Sequence, residues 1–182
     1  MTNRLGFLLI AVLALLASAC YQFPPPTVVK QTNPSPLLGA KDFVVAPVTF
    51  NGFTFEGAAE SEWLKTRSAK QNASWANDKA TMGAKMMKMF GREKLDEQTF
   101  ALETAAGAGQ FAVAINFDRY DGQMCWTAEI RDSAGAVVDV VRDPLAVTMG
   151  FNTALALESG AQLCAMMISK YLHSRAFPES EK

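Results

Sequence analysis

The sequence predicts an α+β domain. It should have a mostly antiparallel sheet built around a three-strand meander, with two main helices packed on it. Three observations carry this prediction. Apolar residues recur at helical spacing over 72–90. The period then changes to two over 110–142, broken by two Asp/Gly-containing turns. A second helical pattern closes the domain over 153–173. Strands and helices that come in runs favour α+β over a strictly alternating α/β fold.

The elements follow in order. Asp42 to Phe50, DFVVAPVTF, is rich in Val and Phe and reads as a strand. Asn51-Gly52 is a strong turn signal. Phe53-Thr54-Phe55 then returns as a short strand or an edge, and 58–71, with Trp63 and Leu64, reads as a short helix. The clearest helix spans Asn72 to Phe90, with Trp75, Lys79, Met82, Met86, Met89 and Phe90 along one stripe. Lys79 joins that stripe through its aliphatic stem, and Gly91 is a suitable stop. Gly83 weakens the helix by about 1 kcal/mol, which suggests close packing against a sheet.

Thr99–Glu103 is a strand candidate. Gln110–Arg119 is a stronger one, alternating Phe111, Val113, Ile115 and Phe117 against Ala112, Ala114, Asn116 and Asp118. Asp121-Gly122 turns the chain into Met124–Arg131. The Asp132–Gly135 turn leads into Ala136–Arg142. Asp143-Pro144 ends the meander. The apolar run Leu145–Phe151 is either a further strand of the sheet or a loop that buries against a partner or the membrane. Asn152 is a plausible N-cap for the last helix, Thr153–His173, whose face carries Leu157, Ala161, Cys164, Ile168 and Tyr171.

The N-terminus sets the domain organisation. Arg4 precedes an apolar stretch from Leu5 to Leu16, which closes in Leu16-Ala17-Ser18-Ala19-Cys20. A basic start, a short apolar core and small residues at a cut site make a secretory signal. Leu5–Cys20 falls short of the roughly 18–20 apolar residues a spanning helix needs. The cysteine at the cut resembles the lipobox of bacterial lipoproteins, although Ala17 stands where that motif most often has Leu. Ordinary secretory cleavage is the alternative. The expected organisation is a lipoprotein signal peptide over 1–19, then a lipidated Cys20 with a Pro-rich tether over 20–41. A single globular domain over 42–177 and a C-terminal tail over 178–182 follow. Pro24, Pro25, Pro26, Pro34 and Pro36 favour extended polyproline geometry, so the tether could reach about 60 Å at about 3.1 Å per residue. A bacterial lipoprotein signal implies acyl chains on Cys20, and Tyr21 in place of Asp after it implies the outer membrane.

The candidate chemistry is sparse. The formal net charge is -1 and no basic block is present, which argues against nucleic-acid binding. His173, the one histidine, falls in the last turn of the final helix, where a cation complements the helix dipole. One histidine without a Cys-x-x-Cys pair gives no zinc site, and no cofactor is expected. Gly107-Ala108-Gly109 precedes a strand instead of opening a helix, so it reads as a turn and not a dinucleotide loop. Asp118 and Asp121 read as turn carboxylates in place of an acid–base pair. The nine methionines read as core filler, with thioether copper binding through residues such as Met86 and Met89 as the rival. If Cys20 carries lipid, Cys125 and Cys164 remain. An oxidising compartment favours a disulfide between them. Strand alternation sets Cys125 on the face opposite Met124 and Trp126, which favours two buried thiols. Both readings stand.

The segments FVVAPVTF, MGAKMMKMF, FAVAINFDRY…CWTAEIRDSAGAVVDVV and the final helix, behind a lipobox and a Pro-rich leash, resemble a group of small envelope lipoproteins. Their α/β domain is similar to the N-terminal domain of TolB and to CsgG, and PelC and LpoB belong to the same group. The resemblance implies a nonenzymatic protein anchored in the outer membrane. It would act through envelope proteins or self-association in secretion, export or motility machinery, or as regulator of a cell-wall enzyme. A periplasmic small-ligand or metal-binding lipoprotein is the alternative. No hairpin long enough to form a pore of the CsgG kind is evident.

Overall fold

The computed structural model describes residues 24–90, 98–102, 106–122, 124–143 and 153–178. In chain order the elements are β1 (Thr27–Gln31), β2 (Asp42–Val45), β3 (Thr54–Phe55), β4 (Ala58–Ala59), α1 (Glu60–Lys65), α2 (Ala69–Phe90), β5 (Thr99–Ala101), β6 (Phe111–Tyr120), β7 (Met124–Arg131), β8 (Val137–Arg142) and α3 (Thr153–Ala176). The fold is α+β, and its one 8-stranded sheet runs β1-β8-β7-β6-β2-β5, with β3 and β4 attached beside β6.

The meander forms as the alternation predicts: β6, β7 and β8 pair antiparallel in sequence. Val113, Ile115 and Phe117 of β6 and Ala128 and Ile130 of β7 are buried on one face. Between Phe117 and Arg119 the register shifts, leaving Asp118 as a bulge. β2 lies parallel to both β5 and β6. A parallel pair needs a long crossover, and α2 supplies it between β2 and β5.

Helix α2 buries Trp75, Met82, Met86 and Phe90. Helix α3 runs beside it. Because α3 is covered by both α2 and the sheet, Ala161, Cys164, Ala165, Ile168 and Leu172 are all fully enclosed. Each large apolar side chain buried in this way contributes about 1.5–3 kcal/mol. A Cβ at Gly160 would stand 3.5 Å from the Met124 Cβ, so α3 approaches the Met124 side of β7 closely. At Gly83 the nearest atom is the Val48 Cβ at 3.9 Å. That glycine therefore meets the segment after β2, at ordinary contact distance, and not the sheet.

Several expectations need correction. The short helix expected within 58–71 forms as α1, but β4 precedes it and a break follows, after which α2 starts at Ala69, before the expected Asn72. Ser68 and Gln71 form a reciprocal capping box that starts it: Ser68 N donates to Gln71 Oε1 at 2.9 Å, and Gln71 N to Ser68 Oγ at 3.3 Å. The larger correction concerns the tether over 20–41. Thr27–Gln31 is a strand, paired antiparallel with β8 along the edge of the sheet. Leu37 is fully buried in the core. The β-branched run Thr27-Val28-Val29 finds an open β8 edge to pair with, and ladder bonds outweigh the extended preference that the flanking prolines impart. The signal, Cys20, the stop at Gly91, the Leu145–Phe151 segment, the Asn152 cap and the tail beyond Pro178 lie outside the described residues.

Candidate functional site

The most elaborate polar arrangement joins the start of the domain to its end. Asp139 sits on β8, opposite Ile130 and Gln31, on the face that the helices cover. It is 0% exposed. A buried carboxylate is costly unless it is paired and fully hydrogen-bonded, and here each oxygen is met. Oδ1 accepts from the Thr32 backbone N at 2.9 Å. Oδ2 accepts from Tyr171 Oη at 2.9 Å and from Arg175 Nε at 2.9 Å. Arg175 Nη2 also donates to the Thr32 carbonyl at 2.6 Å. With its amide turned to satisfy both groups, Gln31 Oε1 accepts from Arg175 Nη1 at 2.9 Å. Burial first, then the bond to Asp139 and its charge, pushes the Tyr171 phenol well above its ordinary range.

The segment after β1 completes this clasp by serving the C-terminus of α3. Ser35 Oγ donates to the Arg175 carbonyl at 3.3 Å, and Gly39 N to the Ala176 carbonyl at 2.9 Å. The last carbonyls of a helix lack partners within it, so residues 32–40 act as its cap. Gly39 takes φ +73° to do so, a conformation that glycine adopts without strain. The clasp holds two chain segments together; its groups are consumed by one another and leave no reactive atom exposed.

Cys125 and Cys164 are both buried thiols, and no disulfide joins them. Cys125 lies on β7 and Cys164 on α3, and both feel the charge of Asp143. Burial, reinforced by the charge of Asp143, pushes the Cys125 thiol up to about 12. The Cys164 thiol is raised by burial and then by Asp143 as well. Nucleophilic and metal-binding cysteines need thiolate character, so neither suits that chemistry.

The other sequence candidates fall into structural roles. Asp118 and Asp121 both meet Arg119, at 3.8 Å and 3.1 Å, and Asp118 also accepts from Thr127 Oγ1. Gly107–Gln110 is a turn closed by Gln110 N to the Gly107 carbonyl at 3.1 Å, with Gly109 at φ +77°. His173 packs against the Phe177 ring at 5.3 Å. Met82 and Met86 are buried in the core while Met87 and Met89 are only partly so. Met86 is 0% exposed and packs in the core, as the filler reading expects. Among the described residues no group of three or more His, Cys, Asp or Glu is placed to hold a metal.

An aromatic cluster escaped the sequence reading. Phe55 stacks on Trp63 at 4.1 Å and on Tyr120 at 4.9 Å, and Trp75 meets Trp63 edge-on at 5.8 Å. The Arg67 guanidinium lies 4.6 Å over the Trp63 ring. Glu60 accepts from both Trp75 Nε1 and Lys79 Nζ. Beside these rings is an open cleft of about 160 Å³ whose rim carries Gln71, Ser74 and Asp78. In the chain its rings, Phe55, Trp63, Trp75 and Tyr120, are aromatic residues with no common pattern. Their convergence depends on β3 pairing with β6, which no local pattern specifies. A second pocket, of about 180 Å³, lies between Pro24–Pro26 and Met166, Lys170 and Ser174 of α3.

The fold and these sites define an α+β domain whose first strand is clasped to its last helix. No protein-family model matches the sequence, and no curated protein matches it. Among solved structures the chain is similar to the PelC dodecamer from Paraburkholderia phytofirmans. The identity is 11% and the TM-score 0.39, over 82% of this chain and 98% of that chain. A variant of the same dodecamer gives 10% identity and a TM-score of 0.38, over 78% of this chain and 97% of that chain.

Proposed function

We propose that this chain is a lipoprotein of the bacterial outer membrane. In this reading it faces the periplasm and acts without catalysis, through contacts with envelope proteins or with itself. The observation that carries the reading is the Leu16–Cys20 motif directly after the Leu5–Leu16 apolar stretch. Two chains are enough for stable anchoring, at about 0.8 kcal/mol per buried methylene. No helix among the described residues is long and apolar enough to cross a membrane, so acyl chains are the attachment this reading supplies. A nonenzymatic role is supported by how the reactive groups are used. Asp139 is enclosed in the clasp, Asp118 and Asp121 are held by Arg119, and the thiols are buried.

Mass spectrometry of the mature protein from its native host tests the anchor. An acylated N-terminal Cys20 is expected, and Cys20→Ser should release the protein from membranes. An unmodified, freely soluble product overturns the reading. Sizing and in-cell crosslinking of detergent-extracted protein should give a large or mixed complex, and a solitary monomer would remove the assembly role.

Small-ligand binding is the second reading, and the cleft beside Trp63 and Trp75 favours it. Titration with soluble cell-wall fragments should then shift tryptophan fluorescence, and Trp63→Ala should abolish the shift.

A further inference from the structure

The folded domain begins almost at the anchor. Pro26 is already buried, and Pro24 and Pro25 line a pocket with Met166 and Lys170 of α3. Only Tyr21, Gln22 and Phe23 separate Cys20 from Pro24. That span reaches at most about 14 Å when fully extended. A domain of about 155 residues has a radius of gyration of about 15 Å. The link is therefore no longer than the body it holds, so the body stays close to the lipid and the end that carries Pro24 lies nearest to it.

The flank nearest this attachment has the character of a membrane-contacting surface. Val28 and Val29 on β1 are 46% and 58% exposed, which is unusual for large apolar side chains in this molecule. They lie on the outermost strand, which has no neighbour beyond it among the described residues. Lys30 and Lys170, both exposed, add positive charge to this flank; the Lys30 ammonium also donates to the Val137 carbonyl, and Lys170 stands beside Pro24 and Pro25.

We infer that the β1–α3 flank, with Pro24, Pro25, Val28, Val29, Lys30 and Lys170, rests directly on the lipid surface and fixes the orientation of the domain. The inference rests on acylation of Cys20 as proposed above. It replaces the picture of a domain on a long leash with one of a domain seated on the bilayer.

The test uses the acylated protein in vesicles of phosphatidylethanolamine and phosphatidylglycerol. Single nitroxide labels are attached through Val29→Cys, Lys170→Cys or Thr99→Cys. Thr99 is exposed on the opposite edge of the sheet, about 24 Å away across five strand spacings. Collision with a water-soluble nickel chelate is compared with that of the same labels on Cys20→Ser protein in solution. Collision should fall at least threefold at Val29 and Lys170 and stay unchanged at Thr99. Two separate labels guard against one variant failing to fold. Equal accessibility at all three positions, with Cys20 acylated by mass spectrometry, overturns the seated orientation and leaves the lipoprotein reading standing. Absence of acyl groups overturns both.

Discussion

Arg175 is the residue on which the most other groups depend. It neutralises Asp139, holds the Thr32 carbonyl and orients Gln31. Removing one partner of a buried pair leaves an uncompensated charge, so Arg175→Met should destabilise the fold by about 3–5 kcal/mol in urea unfolding. Replacing both partners with apolar residues of similar size should cost much less. The buried acids predict a pH dependence with a definite sign. Cys125, Cys164 and Tyr171 all have raised values in the folded state. Their unfolded counterparts lose protons first as pH rises, so stability is fully present below pH 9 and falls above it. The slope approaches about 1.4 kcal/mol per pH unit for each group that has begun to titrate in the unfolded chain alone. Urea midpoints at pH 7, 9 and 10.5 check this, and Cys125→Ala should flatten the first part of the fall. The sequence does not single out Asp139, because in Val-Val-Asp-Val-Val both strand parities are apolar and neither marks the inward face. Its partner was not legible, because Arg175 lies far along the chain and only the α3 packing brings the two together.

Among the elements, the strongly periodic ones were the most legible. β6, β7 and β8 follow their alternation closely, because each has one face in the core and a slip of one residue would expose it. The start of α2 was misplaced at Asn72. The Ser68–Gln71 box was present in the sequence, but the weakly apolar first turn hid it. Ser68→Ala should lower stability by about 1 kcal/mol and increase amide exchange in the first turn of α2, with the rest of the domain unchanged. β1 was missed for a different reason. Its pattern is a short β-branched run between prolines, which reads locally as extended linker. What makes it a strand is the unpaired edge of β8, a tertiary fact. The bulge at Val29 and the bond from Lys30 to the Val137 carbonyl blunt that edge further.

The whole molecule is closed by its ends. Residues 27–40 complete the sheet, cap α3 and contribute Leu37 to the core. Deleting 21–31 should therefore not yield a trimmed but intact domain. It should expose the β8 edge and leave Asp139 short of the Gln31 scaffold, giving protein that aggregates and exchanges its β8 amides rapidly. A soluble deletion variant with the parent melting temperature would contradict this. The fold class was legible because composition and period specify layers. The aromatic cleft and the clasp were not, because both arise where segments distant in sequence converge.

The antiparallel ladder between Thr27–Gln31 and Val137–Arg142 also has a mechanical meaning. A tug on Cys20 along the strand axis would load the ladder's bonds in shear, all at once instead of one by one. The Asp139–Arg175 ion pair stands at the far end of that ladder and ties it to α3. If Cys20 is acylated as proposed, strain arriving from the membrane would pass through this ladder to the final helix before the core has to open.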